Sequence, residues 1–446
     1  MGNVRQIKLD NGIRVIIVPL NTKLTYISAN YLLGRYKEKS NEAGLTHFCE
    51  HLLGCLTSHK YKSSEYISEE IYKRGGEFNA YVSDYEMSIY IKGLYEDSSF
   101  FMDILSNTIN HYYAEDDVKI KEKSVVIQEY LGYVSNSNYK FNYNVFKFLY
   151  PKFSYLADYH KQMKNIRKFD DKKISDYIKR HLNTDNLVLS ITCPRNKVKE
   201  TIKNVETYFG VIKYKKTTSS YPVIQHSNSI LKIVNIKNIN VDKNDSFVIH
   251  LSKRIEYMSE EYLILYYYIR RILFNFDTGI FYKILRKKLG IIYNIGLSVQ
   301  VDYQNPDMSY YNITSKCHHK YAKLFIKNFI QILQDYEVDD EHIYKAKRHF
   351  TYLYENTKFY SLHSQNDDYK RQVLFHKDII TNKDIYKRLL AIPPEKIKSY
   401  YKTVFVKDIL AKHVFFYYSN KNINKDIISL YTKQIPSVRC KAYYIP

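Results

Sequence analysis

The chain of 446 residues has no tryptophan and only five cysteines, Cys49, Cys55, Cys193, Cys317 and Cys440. Their number is odd and no C-x-x-C spacing repeats, which suits a reducing compartment rather than a disulfide framework. No apolar run is long enough to span a bilayer, and the N-terminus lacks the hydrophobic core of a signal peptide. It is not an Arg/Ser-rich transit sequence, and Gln6 stands where a myristoylation signal needs Ser or Thr. The expectation is a soluble, cytoplasmic protein with no membrane partner. Acidic residues are in the minority, 46 against 68 Lys and Arg, for a net charge of +22. A basic surface attracts nucleic acid and acidic polypeptides. The lysines are scattered, however, without a long Lys/Arg run or a recognisable nucleic-acid motif, so the expectation is a basic solvated surface and no specific nucleic-acid partner.

Lys, Asn, Ile and Tyr are heavily used, with 48 Tyr against 22 Phe. AT-rich coding produces this bias, so the tyrosine count carries little functional information. Length and a 45 % hydrophobic content are enough for two domains with real cores. Residues 7–18 alternate around Asp10-Asn11-Gly12 and predict a β-hairpin. Strand patterns follow at 25–34, 78–93 and 187–193. Helical periods cover 43–56, 64–74, 96–113 and 116–134. The Ser/Thr-rich stretch from Lys215 to Ser229, with Pro222, is the best linker. Beyond it, strand-then-helix order begins again with a strand at 246–252, helices at 259–275 and 279–288, and a strand region at 291–303. The reading is α+β: two homologous-looking domains, each a mostly antiparallel sheet packed with helices, at 1–218 and 230–446 with a linker at 219–229.

The chemistry concentrates in Thr46-His47-Phe48-Cys49-Glu50-His51. This H-x-x-E-H spacing puts His47 and His51 on one face of a helix, on adjacent turns, where two imidazoles reach one zinc ion. Glu50 shares that broad face and is the candidate to hold and deprotonate an attacking water. The arrangement is the inverse of H-E-x-x-H. A catalytic zinc needs a third protein ligand and an open fourth position. Glu122 and Glu129 in EKSVVIQEY lie seven apart, on one side of a second helix, and the Val-Val-Ile run between them argues that part of that helix is in the core. Glu129 is assigned as the third ligand and Glu122 as support for a ligand histidine.

With these segments in hand, the chain resembles the pitrilysin, insulin-degrading enzyme and mitochondrial processing peptidase family. LDNGIRVIIVP looks like that family's opening hairpin, NEAGLTHFCEHLLG like its zinc helix, GGEFNAYVS like its glycine-rich turn leading into Asn-Ala, and EKSVVIQE like its third-ligand helix. In the second half, LRKKLGIIY looks like the family's late Arg…Tyr element, carried here by Arg286 and Tyr293. The resemblance implies one zinc ion per chain and a zinc endopeptidase acting on extended, unfolded peptides or presequences. It implies that Asn79 and Ala80 contact substrate on an open sheet edge, and that Arg286 and Tyr293 contact substrate main chain and stabilise the oxyanion. The two domains would form half of a clamshell, so that a homodimer completes a chamber which the net positive charge would line. The competing reading is a catalytically silent structural or interaction subunit of the same fold. Intact His47, Glu50, His51 and Glu129 argue against it.

Overall fold

The computed structural model describes residues 4–136, 138–217, 230–237, 246–254, 260–300, 310–356, 362–375, 378–411, 413–419 and 421–445. The expected linker at 219–229 lies outside the described residues. Two compact units emerge, and neither is contiguous in sequence. The first comprises Met1–Tyr139, Tyr150–Pro222 and Thr357–Thr381; the second comprises Lys140–Leu149, Val223–Asn356 and Asn382–Pro446. The contiguous division at 1–218 and 230–446 therefore needs two exchanged segments.

The first unit is built on strands β1 (Arg5–Lys8), β2 (Arg14–Leu20), β3 (Leu24–Tyr31), β4 (Glu77–Val82), β5 (Met87–Leu94) and β6 (Leu187–Pro194). They form one sheet in the order β1-β2-β6-β3-β5-β4, antiparallel except for the parallel β2–β6 pair. The predicted hairpin is present, with Lys8 opposite Arg14. Alternation along each strand separates two faces. Ile17, Ile27, Ala29, Ile89, Ile91, Leu189 and Ile191 face the main core. That core is completed by helices α1 (Leu45–Gly54), α2 (Ser64–Lys73), α3 (Ser98–Asn110) and α4 (Asp116–Ser135) and by the later helices of the unit.

The second unit repeats the plan. Strands β7 (Leu231–Lys237), β8 (Ser246–Arg254), β9 (Ile292–Gln300), β10 (Tyr310–His318), β11 (Val414–Ser419) and β12 (Cys440–Ile445) line up as β12-β7-β11-β8-β10-β9. The run β7-β11-β8-β10-β9 repeats β2-β6-β3-β5-β4 in order and in strand direction, with β7–β11 as the parallel pair. The units differ at one edge, where β1 joins antiparallel from the N-terminus and β12 joins parallel from the C-terminus. The expected duplication is thus legible in the topology.

The exchanged segments have a physical cause. A sheet with apolar residues on both faces must be covered on both. In the first unit, Ile16, Val18 and Val188 on the second face pack against Tyr369, Val373 and Leu374 of the helix Leu362–Leu374. In the second, Val234, Ile236, Val414 and Phe416 pack against Phe141 and Val145 of the helix Tyr139–Leu149. Each fully buried side chain of this size contributes about 1.5–3 kcal/mol, enough to fix each helix on its sheet. No described helix is long and apolar enough to cross a membrane.

Candidate active site

α1 starts where the backbone of Gly44 turns left-handed, at φ 94°, a conformation that glycine adopts without strain. Its first amides are satisfied from outside the helix. The Glu38 carboxylate accepts from Gly44 N at 2.9 Å and from Thr46 N at 2.7 Å. Leu45, Phe48, Cys49, Leu52 and Leu53 bury one face of α1. His47, Glu50, His51 and Gly54 occupy the other at helical spacing. Gly54 permits a close approach to β4: a Cβ placed there would stand 3.3 Å from Ala80 Cβ.

α4 presents Glu122, Val126, Glu129 and Tyr130 as one stripe. Of the Val-Val-Ile run, Val126 is buried, Ile127 is half-buried and Val125 is exposed. The helix thus enters the core by a single stripe rather than by the whole run.

The two helices bring their polar groups together. His47, Glu50 and His51 each place one ligand atom within 4.8 Å of the others. The Glu129 carboxylate straddles both imidazoles, with Oε2 3.4 Å from His47 Nε2 and Oε1 3.5 Å from His51 Nε2. Zinc ligands at about 2.0–2.2 Å in tetrahedral array stand roughly 3.3–3.5 Å apart. The two Glu129–imidazole distances are of that size. Glu50 Oε2 is farther away, 3.8 Å from His47 Nε2 and 4.0 Å from His51 Nε2, a spacing that leaves room for a group between it and the ion.

Both ring Nδ1 atoms are engaged on the far side. His51 Nδ1 is 3.0 Å from Glu122 Oε2, and His47 Nδ1 is 3.0 Å from Tyr130 Oη. An imidazole that donates from Nδ1 has its Nε2 lone pair free for a metal. Burial, helped by the neighbouring His51, pulls the His47 pKa down to about 4, so this ring is neutral at pH 7. Burial pushes the Glu50 carboxyl up to about 7; His51 opposes the shift, and Glu129 and Glu122 add to it. Such a cluster of half-buried carboxylates needs a cation.

A cavity of about 510 Å³ opens over these groups. Phe78, Asn79, Ala80, Tyr81 and Val82 of β4 form one wall, so the edge strand and the His/Glu cluster share one cleft. Among the described residues, β4 pairs with β5 alone. The Asn79 side chain folds back on its own strand, where Oδ1 accepts from Ala80 N at 2.8 Å. Among the described residues, the lining includes Glu50, Glu122 and Glu129 and no Lys or Arg.

Arg286 and Tyr293 lie in the second unit. They are neighbours: the guanidinium carbon is 5.2 Å from the Tyr293 ring centroid, and Arg286 Nη1 donates to Ile292 O at 3.1 Å. Tyr293 is 67 % exposed, so its hydroxyl is open to a ligand. The helix expected at 279–288 carries Arg286 in a π-helical stretch, Tyr282–Lys288.

Two contributors escaped the sequence reading. Tyr130 follows Glu129 directly, but one tyrosine among 48 gives no signal. Glu38 sits in a charged loop and looks solvated, whereas it is 4 % exposed. Its distance of six and eight residues from the amides it caps hid that role.

Residues 31–151 match the profile Insulinase (Peptidase family M16), and residues 168–350 match the profile Peptidase M16 inactive domain. The chain belongs to peptidase family M16. Among M16 relatives, an uncharacterized zinc protease of Rickettsia felis is 25 % identical over 361 residues, covering 76 % of this chain and 80 % of its own. Cytochrome b-c1 complex subunit 1 of Bos taurus mitochondria is 28 % identical over 189 residues, covering 41 % of this chain and 38 % of its own. In fold, this M16 chain matches the first half of the periplasmic protease PqqL from Escherichia coli with a TM-score of 0.76 at 15 % identity, covering 98 % of each chain. Against the whole of PqqL the match covers 99 % of this chain and 51 % of that one.

Proposed function

We propose that this M16 family member is a zinc endopeptidase that cleaves extended, unfolded peptides, with the metal on His47, His51 and Glu129. The observation that carries the reading is the convergence of two Nδ1-anchored imidazoles and the Glu129 carboxylate, 3.4–3.5 Å apart, beside an open strand edge. Zinc in this position supplies Lewis acidity, lowering the pKa of water and polarising a carbonyl oxygen. Glu50, at the mouth of the cluster, takes the proton of the attacking water on Oε2 and delivers it to the departing amide nitrogen. β4 takes the substrate as an added strand. Main-chain hydrogen bonds then supply affinity with little demand on side-chain identity. Glu122 and Tyr130 hold the imidazoles in orientation. Arg286 and Tyr293 are assigned to the substrate carbonyl as it gains negative charge.

The test is cleavage of an unstructured fluorogenic peptide pool by the wild type and by Glu50→Gln, with metal content measured on both. The expected result is one zinc per chain in each and a loss of kcat on the order of 10²–10⁴-fold in the variant. Zinc absent from both, with neither active, would favour the silent-subunit reading that the cytochrome b-c1 relative keeps in view. Because this chain matches half of PqqL, a second copy is proposed to supply the rest of the enclosure. A monomer in light scattering at micromolar concentration, fully active, would overturn that assembly.

A further inference from the structure

The second face of the first unit's sheet holds a buried cation that plays no part in the chemistry above. Lys370, on the helix Leu362–Leu374, has a fully buried side chain. Its ammonium lies 2.7 Å from Glu86 Oε1, pairs with Asp367 one turn earlier, and donates to the Tyr81 hydroxyl. Tyr81 Oη in turn donates to Glu86 Oε1 at 2.8 Å, which closes a ring of three side chains. Arg371 stands 3.7 Å from both Glu86 and Asp367. The group is two cations against two carboxylates, formally neutral, and its pairing is what makes burial tolerable.

The position of this ring gives it meaning. Tyr81 belongs to β4, the edge strand that walls the cleft with His47, Glu50 and His51. Alternation puts Phe78, Ala80 and Val82 on the α1 side and Asn79 and Tyr81 on the opposite face. Glu86 forms the turn that returns β4 to β5: Ser83 N donates to Glu86 O at 2.7 Å, and Glu86 N donates to Ser83 Oγ at 3.2 Å. Lys370 thus holds the last part of the edge strand and its turn from behind. The helix itself sits on a polar seat, where Asn366 Nδ2 donates to Thr192 Oγ1 at 3.1 Å and Asn366 Oδ1 accepts from Ser190 Oγ. Directional hydrogen bonds and ion pairs fix register more sharply than an apolar patch does.

We infer that Lys370 is a positioning residue for peptide binding. Through Tyr81 and Glu86 it sets the height and twist of β4, and so the fit of a substrate that must align several main-chain groups with that edge. The inference rests on the peptidase reading and concerns affinity for long substrates rather than the bond-breaking step. A substrate strand reads its template through successive backbone groups, so a small displacement at one end of β4 is felt along its length. A substrate too short to pair with β4 is insensitive to it.

The experiment compares the zinc-loaded full chain with Tyr81→Phe and Lys370→Met, and with the two combined. Two fluorogenic substrates are used, one of about ten residues and one too short to lie along β4. Tyr81→Phe removes only a hydroxyl and keeps the ring, so it remains informative if Lys370→Met, which takes the buried cation from Glu86 and Asp367, fails to fold. The expected result for the long peptide is a KM about five- to twentyfold higher with kcat within twofold, no change in KM for the short one, and a double variant no worse than Lys370→Met alone. A purely structural role would lower kcat with the folded fraction and leave KM alone. That result, or an equal effect on both substrates, overturns the proposal while leaving the peptidase reading intact. A wild type that cleaves neither substrate overturns both.

Discussion

Glu122→Ala tests whether the cluster is a built metal site or an incidental meeting of acids and histidines. The Glu122 carboxylate stands 3.0 Å from His51 Nδ1 with 15 % of its side chain exposed. A hydrogen bond to a charged group in such surroundings contributes about 1.5–3 kcal/mol. Carboxylates behind zinc-ligating histidines govern metal affinity by about 10–100-fold, or about 1.4–2.7 kcal/mol. The two routes agree, so zinc Kd is expected to rise 10- to 100-fold. Tyr130→Phe supplies the internal scale. Its hydroxyl is a neutral partner of His47 Nδ1 at 3.0 Å, and its ring stacks on Tyr159 with centroids 5.1 Å apart, a contact phenylalanine retains. A neutral bond contributes about 0.5–1.5 kcal/mol, so a rise in Kd of about two- to tenfold is expected. Competition against a chromogenic chelator at fixed pH measures all three proteins. A Kd for Glu122→Ala within twofold of wild type, or a larger loss in Tyr130→Phe than in Glu122→Ala, would refute the assignment of Nδ1 as the anchored nitrogen.

Glu38→Ala strands the amides of Gly44 and Thr46 at the start of the His/Glu helix; an unpaired buried donor costs about 1–3 kcal/mol, so a fall in denaturant midpoint is expected, with Glu38→Gln intermediate because its amide oxygen still accepts one bond. His181 is 2 % exposed, and burial, with Arg180 and Lys37 nearby, lowers its pKa from 6.5 to about 4. The unfolded chain therefore takes up this proton first as pH falls below 6.5. Stability declines between pH 6.5 and 4, by roughly 3 kcal/mol in full, since each tenfold difference in proton affinity between the folded and unfolded chain is worth about 1.4 kcal/mol. In urea titrations across that window, His181→Gln should flatten the acid slope; an unchanged slope would assign the acid sensitivity elsewhere.

How much of this was legible beforehand follows from the range over which each interaction acts. His47, Glu50 and His51 share one helix, so the 3.6-residue period alone places them together. Glu122 and Glu129 share another, and their spacing gives a common stripe; that the stripe faces α1 was inferred from a catalytic zinc's need for a third ligand. Tyr130 and Glu38 act across the fold, on groups 83 and eight residues away, and nothing local marks them. The strands of the first unit were read from alternating faces or apolar runs, whereas β7, β10, β11 and β12 of the second were not read. The helix Leu362–Leu374 was not, since its sequence LHSQNDDYKRQVL has a weak apolar period. Asn366 and Lys370 hold it by polar contacts, the kind that hydrophobic patterning cannot register.

On the proposed function, the duplicated topology does not duplicate the His/Glu cluster: among the described residues that cluster lies in the first unit. In the first unit, the first α-helix between the third strand in sequence, β3, and the edge strand β4 is α1, with His47, Glu50 and His51 on its open face. In the second unit, the helix that follows β8 and precedes the edge strand β9 is Glu260–Leu273, EEYLILYYYIRRIL. After its first two residues it holds no carboxylate and no histidine, and its Tyr266, Tyr268, Ile269 and Leu273 are buried in the core. The same scaffold position has thus been given over to packing. The second unit instead carries a guanidinium, Arg286, shortly before its edge strand and an exposed phenol, Tyr293, on that strand, hydrogen-bond donors suited to negative charge. On the proposed function, the first copy of the fold holds the metal ligands and the base, and the second contributes the donors Arg286 and Tyr293.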